Sequence, residues 1–227
     1  MTLWRCWSPD SDVKIDQLVA SISVGANDLR QELPDGAAAK MATLLTELDR
    51  WNQKVNLTAI RDLEAMVSGH ILDSLVVRPL LEGSRVLDVG TGAGFPGLPL
   101  AIAEPDTDFS LLDSNGKKIG FVRHAIGVLG LSNATAIKAR AEDYAPAERF
   151  DTVIARALAS VPRLLELAGH LIREEGVLLA LKGKHPAEEL EPIKEISGWK
   201  YVVTDVTVPG LESHARHVVC LRRANVA

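Results

Sequence analysis

The chain has 227 residues, of which 47% are hydrophobic, 24% are charged and only 4% are aromatic. This length suits one large α/β domain with an extension, or two small domains, and the core must be built from aliphatic side chains. The formal net charge of −5 argues against nonspecific binding to nucleic acid, which depends on neutralising phosphates. Two distant cysteines, Cys6 and Cys220, exclude a disulfide framework and a cysteine-based metal site.

The first dozen residues lack the apolar region of a secretion signal, and no apolar run approaches the roughly 20 residues of a membrane span. Together with the cysteine content, these features predict a soluble, cytoplasmic protein that does not contact a membrane. Trp4 and Trp7 lie in this segment. They are either an RNA-stacking arm or, as the favoured interpretation, part of a disordered tail.

Helical periodicity dominates the first third of the chain. Apolar residues at three- and four-residue steps predict one helix over Asp10–Arg30 and a second through Met41–Trp51. A third helix is expected to begin near Asp62, whose side chain would cap it, and to end before Pro79. We therefore predict that residues 1–82 form a helical extension packed on the rest of the protein.

After Gly83, apolar β-rich runs alternate with helical ones. The predicted strands are Arg85–Val89, Asp108–Leu112, Thr135–Ala139, Asp151–Ala155, Val177–Lys182, Lys200–Thr207 and His217–Arg222. The predicted helices between them include Pro96–Ala103, Gly116–Leu129, Val161–Arg173 and Glu188–Ile196. This alternation predicts an α/β domain over residues 83–227, with a mostly parallel sheet and right-handed crossovers. The last two strands are joined only by a loop, which predicts an antiparallel pair at the sheet edge.

The segment Val86–Gly97, with the sequence VLDVGTGAGFPG, places four glycines between a predicted strand and a predicted helix. Such a glycine-rich turn brings the backbone close to a nucleotide-like ligand. Gly92–Gly97 matches the GxGxxG pattern of dinucleotide sites. Asp113 ends the next strand, where such a site places its ribose-binding acid. NAD is therefore one candidate ligand.

Two features of this loop favour S-adenosylmethionine (SAM) instead. Asp88 before the loop would repel a pyrophosphate, and Pro96 removes one backbone donor at the helix start. SAM has no phosphate, and its positive charges would be attracted by an acid near the loop. The glycines would admit its methionine part, and Asp113 would accept from its ribose hydroxyls. The residues expected to contact SAM are Asp88, Gly90, Gly92 and Asp113, with Ala141 and Glu142 framing the adenine.

Several blocks of the sequence occur together in an order that resembles a known family. These blocks are WNQKVNLTAI, HILDSL, DVGTGAGFPGLPLAI, LLDSNGKKIGFVRHA, Ile154–Ala157 and Lys182-Gly183. The chain from about Ala39 to about Lys184 thus resembles the glucose-inhibited division protein B family (RsmG type), the bacterial 16S rRNA guanine-N7 methyltransferases. The glycine loop is shared by many methyltransferases, whereas the combination of blocks is much more specific.

The resemblance implies a class I, Rossmann-like methyltransferase fold with a helical N-terminal extension. It implies SAM as the methyl donor and 16S rRNA of the small ribosomal subunit as the acceptor, at N7 of one guanosine near the decoding centre. It also implies cofactor contacts at Gly90, Phe95, Ala141, Glu142 and Arg156. We expect no metal and no obligate protein partner.

Arg156 follows the fourth predicted strand, where the acceptor site of this fold opens. We predict that it positions the acceptor or SAM, with a salt bridge to Asp151 or Glu142 as the alternative. Guanine N7 already has an in-plane lone pair, so alignment can supply most of the rate and we assign no general base.

Basic residues follow the ends of several predicted strands and would share one rim of the sheet. The expected RNA contacts on this rim include Lys117, Lys118, Arg123 and Lys182. At helical spacing, His70, Asp73 and Ser74 share a face. The favoured interpretation is a buried polar network that joins the extension to the core, and guanine binding by His70 and Asp73 is the alternative.

Two other functions stay open at this point. A methyltransferase acting on a small molecule or a protein would use the same loop. A ribosome-assembly factor without catalytic activity could retain the fold alone. Binding of SAM and methylation of small ribosomal subunits distinguish these possibilities.

Overall fold

The computed structural model describes residues 9–195 and 198–224 of the chain. Trp4, Trp7 and Ile196 therefore lie outside the described residues. None of the helices within these two ranges has the length and apolar character that crossing a membrane requires.

The core of the molecule is one seven-stranded sheet with the strand order β3-β2-β1-β4-β5-β7-β6. The strands are β1 (Arg85–Val89), β2 (Asp108–Asp113), β3 (Ala134–Lys138), β4 (Phe150–Arg156), β5 (Ile172–Lys182), β6 (Trp199–Asp205) and β7 (His217–Arg223). Strands β1 to β5 are parallel, whereas β7 runs antiparallel to both β5 and β6. The predicted mostly parallel α/β sheet with an antiparallel edge is confirmed.

Helices cover both faces of this sheet. They are α1 (Pro9–Asp28), α2 (Ala37–Asn52), α3 (Leu63–Met66), α4 (Asp73–Leu75), α5 (Gly97–Ala103), α6 (Gly116–Leu129), α7 (Val161–Ala168) and α8 (Ala187–Glu195). The strands β1 and β4 lie in the middle of the sheet, and Leu87 and Val153 on them are fully buried, as expected for strands covered on both faces. The apolar cluster on one face runs continuously from α1 and α2 into α5, α6 and the sheet.

Strand β5 is longer than the sequence predicts. It begins at Ile172, five residues before the expected start, and α7 ends at Ala168 instead of continuing to Arg173. Ile172 pairs with Phe150 on β4 across an irregularity in the register. Pairing with a neighbouring strand supplies backbone partners that no local pattern reveals, so the sequence places Ile172 and Arg173 at the end of the preceding helix instead.

The third helical segment begins as predicted, because the Asp62 carboxylate accepts from the Ala65 amide at 2.8 Å and caps it. Between α3 and α4, however, residues Val67–Leu72 form a π-helix. The Asp73 amide accordingly bonds the Ser68 carbonyl, five residues earlier. A short 3₁₀ turn at Arg78–Leu80 then leads to the sheet and includes the proline expected to lie beyond the helix. π-Helices are rare and often occur at functional sites.

Candidate functional site

The loop between β1 and α5 coils tightly at the carboxyl end of the sheet. Gly90, Gly92 and Gly94 have φ angles of 69°, 60° and 89°, in the left-handed region that disfavours side chains. A Cβ atom at Gly94 would also lie 2.3 Å from Leu98 Cδ1. The loop therefore requires glycine both for its backbone angles and for its close packing.

Asp88 supports this loop from beneath. Its Oδ2 atom accepts from the Thr91 hydroxyl at 2.6 Å and from the Gly97 amide at 2.8 Å. The side chain is fully buried, so the predicted direct contact between Asp88 and the cofactor is not made in this geometry. Its role here is to shape the loop. Burial raises the pKa of the Asp88 carboxyl from 3.8 to about 6.

This shift makes Asp88 a source of pH-dependent stability. Because the folded state holds the Asp88 proton up to about pH 6 and the unfolded chain releases it near 3.8, the contribution of Asp88 to stability falls as pH rises between these values. We expect the free energy of unfolding, relative to Asp88→Asn, to drop by about 2–3 kcal/mol from pH 4 to pH 7. Urea denaturation of both proteins measures this difference. If the difference in the free energy of unfolding between the two proteins stays constant with pH, the raised pKa of Asp88 is contradicted.

The amides of the loop are already bonded within the protein. Gly92 N–H donates to Asp113 Oδ2 at 2.9 Å, and the amides of Gly94 and Phe95 donate to the Thr91 carbonyl. With the Gly97 amide bonded to the carboxylate beneath the loop, the donors that a pyrophosphate would require at the helix start are occupied. This pattern favours a ligand without phosphate, and it weakens the NAD interpretation.

A cleft of about 260 Å³ opens beside the loop, at the carboxyl ends of β1, β2 and β3. It is lined by Val89, Gly90, Leu112, Asp113, Ser114, Ala139, Arg140, Ala141, Glu142, Leu158, Arg163 and Leu167. Four residues predicted to bind the cofactor thus line one cleft, namely Gly90, Asp113, Ala141 and Glu142. Both Asp113 oxygens also accept from backbone amides, those of Gly92 and Asn115, which fixes the carboxylate at the edge of the cleft.

A second cleft of about 390 Å³ lies on the other side of the segment that follows β4. Its lining includes Gly69, His70, Asp73, Arg156, Ala157, Lys182, Arg216 and His217. Ala157 lines this second cleft, whereas Leu158, the next residue, lines the first. The two clefts are therefore neighbours that share a border at the chain just after Arg156.

Arg156 is held at this boundary by the π-helix region. Its guanidinium donates to Asp73 Oδ2 at 2.9 Å and to the Gly69 carbonyl at 3.3 Å. It also lies over the Phe95 ring, with Cζ 5.8 Å from the centroid. The alternative prediction, a salt bridge from Arg156 to Asp151 or Glu142, was wrong. Arg156 pairs with Asp73, and Asp151 pairs with Arg173.

His70 packs against the same aromatic residue. Its ring stacks on Phe95 with centroids 4.6 Å apart, and its Nε2 atom lies 2.8 Å from the Thr58 hydroxyl. Burial, together with the nearby positive charge of Arg156, lowers the pKa of His70 from 6.5 to about 4. The imidazole is therefore neutral at physiological pH.

The polar network predicted around His70, Asp73 and Ser74 is confirmed. The Ser74 hydroxyl donates to the His70 carbonyl at 2.5 Å, and Asp73 binds Arg156 through one oxygen and Arg216 through the other. These bonds join the helical extension to the end of β4 and the start of β7. Sequence reasoning missed the partner Arg216, because it lies 143 residues from Asp73 and carries no motif.

The predicted basic rim is only partly assembled. Lys117 is exposed at the start of α6, and Lys118 Nζ lies 3.9 Å from the Cβ position at Gly92. Arg123 is exposed but lies about 10 Å further along the helix, at 1.5 Å per residue. His124, the next residue, binds Glu47 of α2 at 2.7 Å and so faces the extension.

Lys182 lines the second cleft but is also bonded within the protein. Its ammonium group donates to the Ala159 carbonyl at 2.8 Å and to Glu189 at 2.7 Å. The side chain is only 14% exposed, so its charge is largely matched within the protein. Within residues 9–195 and 198–224, no cluster of histidine, cysteine or acidic side chains is arranged to hold a metal ion.

The strand order defines the class I methyltransferase fold, together with a glycine loop whose Gly92 amide is hydrogen-bonded to Asp113 at the end of β2. Among solved structures, the DhpI–SAH complex has this fold, with a TM-score of 0.55 and 16% identity over 82% of this chain and 96% of that one. The sequence model of the GidB family, described as rRNA small subunit methyltransferase G, matches residues 37–219. The chain belongs to this family.

Curated relatives agree with this assignment. The ribosomal RNA small subunit methyltransferase G of Legionella pneumophila (strain Corby) is 46% identical over 78% of this chain and 84% of its own length. The protein of the same name from Vibrio campbellii is 42% identical over 92% of this chain and 96% of its own length.

Proposed function

We propose that this protein transfers a methyl group from SAM to N7 of a single guanosine in 16S rRNA of the small ribosomal subunit, in the cytoplasm. One observation carries this proposal. In a member of the GidB family, a cleft that suits a nucleoside borders a second cleft, and the second cleft is lined by Arg156, whose guanidinium lies over the Phe95 ring. A donor in the first cleft and a base in the second would meet there.

The first cleft suits SAM in several respects. Leu112 and Leu158 supply apolar surface for the adenine, and Asp113 lies where it can accept from a ribose hydroxyl. Glu142 offers a further acceptor at the end of β3. The glycine loop admits the methionine part at Gly90, and its occupied amides disfavour phosphate. When bound, SAM would supply a methyl group on a positively charged sulfur.

The second cleft can orient a base without removing a proton from it. N7 of guanine attacks with its own lone pair as the new N–C bond forms and the methyl–sulfur bond breaks. The neutral His70 and the paired Asp73 are therefore not required as bases. The contribution of the residues at the cleft is alignment, which can be worth roughly 7–11 kcal/mol in favourable cases. Arg156 can donate to guanine O6 or to a phosphate.

Charge distribution supports RNA as the acceptor. The chain is acidic overall, yet Lys117, Lys118, Lys138 and Arg140 lie around the cofactor cleft at the carboxyl ends of β2 and β3. A basic edge on an acidic body suits docking on a structured ribonucleoprotein more than binding to any RNA.

Methyl transfer from radiolabelled SAM tests this proposal against its alternatives. We expect label to enter 16S rRNA of small ribosomal subunits purified from cells that lack this protein. Label in a ribosomal protein or a small metabolite, and none in the rRNA, would favour a different methyltransferase. SAM binding by calorimetry is the companion measurement, and its absence would favour an assembly factor.

A further inference from the structure

The chain between β4 and α7, residues 157–160, forms the wall between the two clefts. Ala157 has a φ of 52°, in the left-handed region that residues other than glycine seldom adopt. Leu158 is 39% exposed, and its Cδ1 atom lies 2.7 Å from the Cβ position at Gly90. This wall segment is therefore in an unfavourable backbone conformation, and contacts from elsewhere must hold it there.

A half-buried ion pair provides such contacts. Lys182 at the end of β5 donates to the Ala159 carbonyl at 2.8 Å and to Glu189 Oε2 at 2.7 Å. The same Glu189 oxygen accepts from the Val161 amide at 2.7 Å, at the first turn of α7. The pair thus holds the carboxyl-terminal end of the wall, through the Ala159 carbonyl and the amide of Val161, the residue that follows the wall.

We infer that Glu189 and Lys182 are positioning residues that hold the wall segment against the cofactor. This inference rests on the proposed function and assigns Lys182 a role other than the RNA contact expected from the sequence. Neither side chain lines the first cleft, so both act through Ala159 and Val161 on Leu158, the residue just before Ala159, whose side chain does line it. The position of the wall beside the SAM cleft then depends on a salt bridge whose side chains do not line that cleft.

The test compares SAM affinity and turnover in variants of Glu189. Glu189→Ala removes both bonds, and we expect the Kd for SAM to rise about 10-fold, as for loss of two hydrogen bonds, one of them charged. Glu189→Gln keeps an oxygen for the Val161 amide, so its Kd should rise by about 3-fold. The KM for SAM should rise in parallel with the Kd. The kcat at saturating SAM should stay within about 2-fold of wild type, because bound SAM returns the wall segment to its wild-type position.

The double variant Glu189→Ala/Lys182→Met is compared with the two single variants Glu189→Ala and Lys182→Met. Its Kd for SAM should exceed the higher of the two single-variant Kd values by no more than about 2-fold, since the pair acts as a unit. Glu82→Gln is the matched control. It breaks the ion pair between Glu82 and Arg222, which lies at the opposite end of the sheet, and it should leave the Kd for SAM unchanged.

Three outcomes are distinguishable. Wild-type protein that binds no SAM would overturn the proposed function. Wild-type affinity in Glu189→Ala, with SAM binding intact in the parent, would overturn the positioning role alone. Equal rises in the Kd for SAM in Glu82→Gln and Glu189→Gln, with equal losses in melting temperature, would mean that Glu189 acts only through global stability. That result would also overturn the positioning role.

Discussion

Arg156→Ala is expected to lower methyl transfer to small ribosomal subunits by about 100-fold or more, the usual loss when one preorganised donor is removed from a reacting centre. The guanidinium lies at the boundary of the two clefts, where donor and acceptor would meet. It is preorganised there by Asp73 and the Gly69 carbonyl, so it needs no rearrangement when the base arrives. The measurement is the single-turnover rate with labelled SAM.

Arg85→Ala is a matched control for this variant. Arg85 also lies over an aromatic ring, that of Phe150 at 5.6 Å, and pairs with an acid, Glu148 at 3.3 Å. It begins β1 and so lies at the end of the sheet away from the clefts. We expect Arg85→Ala to lose stability but to retain near-normal turnover. Equal turnover in both variants, with both proteins folded, would remove Arg156 from the reaction.

Arg156→Lys separates charge from geometry. Lysine keeps the positive charge, but it cannot reproduce the planar, forked donor that reaches Asp73 and Gly69 together. We expect this variant to recover only a small part of the lost rate. Full recovery would show that charge alone is required at this position.

Gly90→Ala is expected to raise the Kd for SAM by about 30-fold or more. The new methyl group would lie 2.7 Å from Leu158 Cδ1, so it would displace the Leu158 side chain and fill space in the cofactor cleft that both residues line. The backbone at φ 69° adds about 1–2 kcal/mol of strain for any residue with a Cβ atom. Isothermal calorimetry with SAM measures the effect directly.

Gly36→Ala isolates the strain from the collision. Gly36 has a similar φ of 74°, but nothing lies within 4 Å of its Cβ position, and it precedes α2 in the extension. Both variants should therefore lose similar stability through the backbone, whereas only Gly90→Ala should lose SAM affinity. Equal SAM affinity in the two variants would show that Gly90 does not border the cofactor.

Much of the fold could be predicted from the sequence because its signals are local. Apolar runs separated by helical periodicity indicated the parallel sheet, and two successive strands indicated its antiparallel edge. The π-helix at Val67–Leu72 was not predictable in the same way, since one additional residue per turn scarcely alters a pattern of apolar residues. The early start of β5 was missed because Ile172 depends on its partner Phe150.

The candidate site likewise contains features that could be predicted from the sequence and features that could not. The glycine loop and Asp113 stand at strand ends, and the carboxyl ends of parallel strands meet, so their convergence on one cleft was predictable. The burial of individual side chains and their ion-pair partners could not be predicted. Asp88 lies beneath the loop, and Lys182 is bonded to Glu189, although the sequence predicted a cofactor contact for Asp88 and an RNA contact for Lys182. A charged residue at a strand end can bind a ligand or support the backbone that does, and only the packing decides.

Mapping of N7-methylguanosine in 16S rRNA tests the central claim most directly. Ribosomes from cells with and without this protein would be compared by cleavage of the rRNA at N7-methylated guanines. We expect one guanosine to be methylated only when the protein is present, and a plasmid that carries the wild-type protein, but not Arg156→Ala, to restore it. An identical pattern of N7 methylation in the two strains would contradict the proposed function.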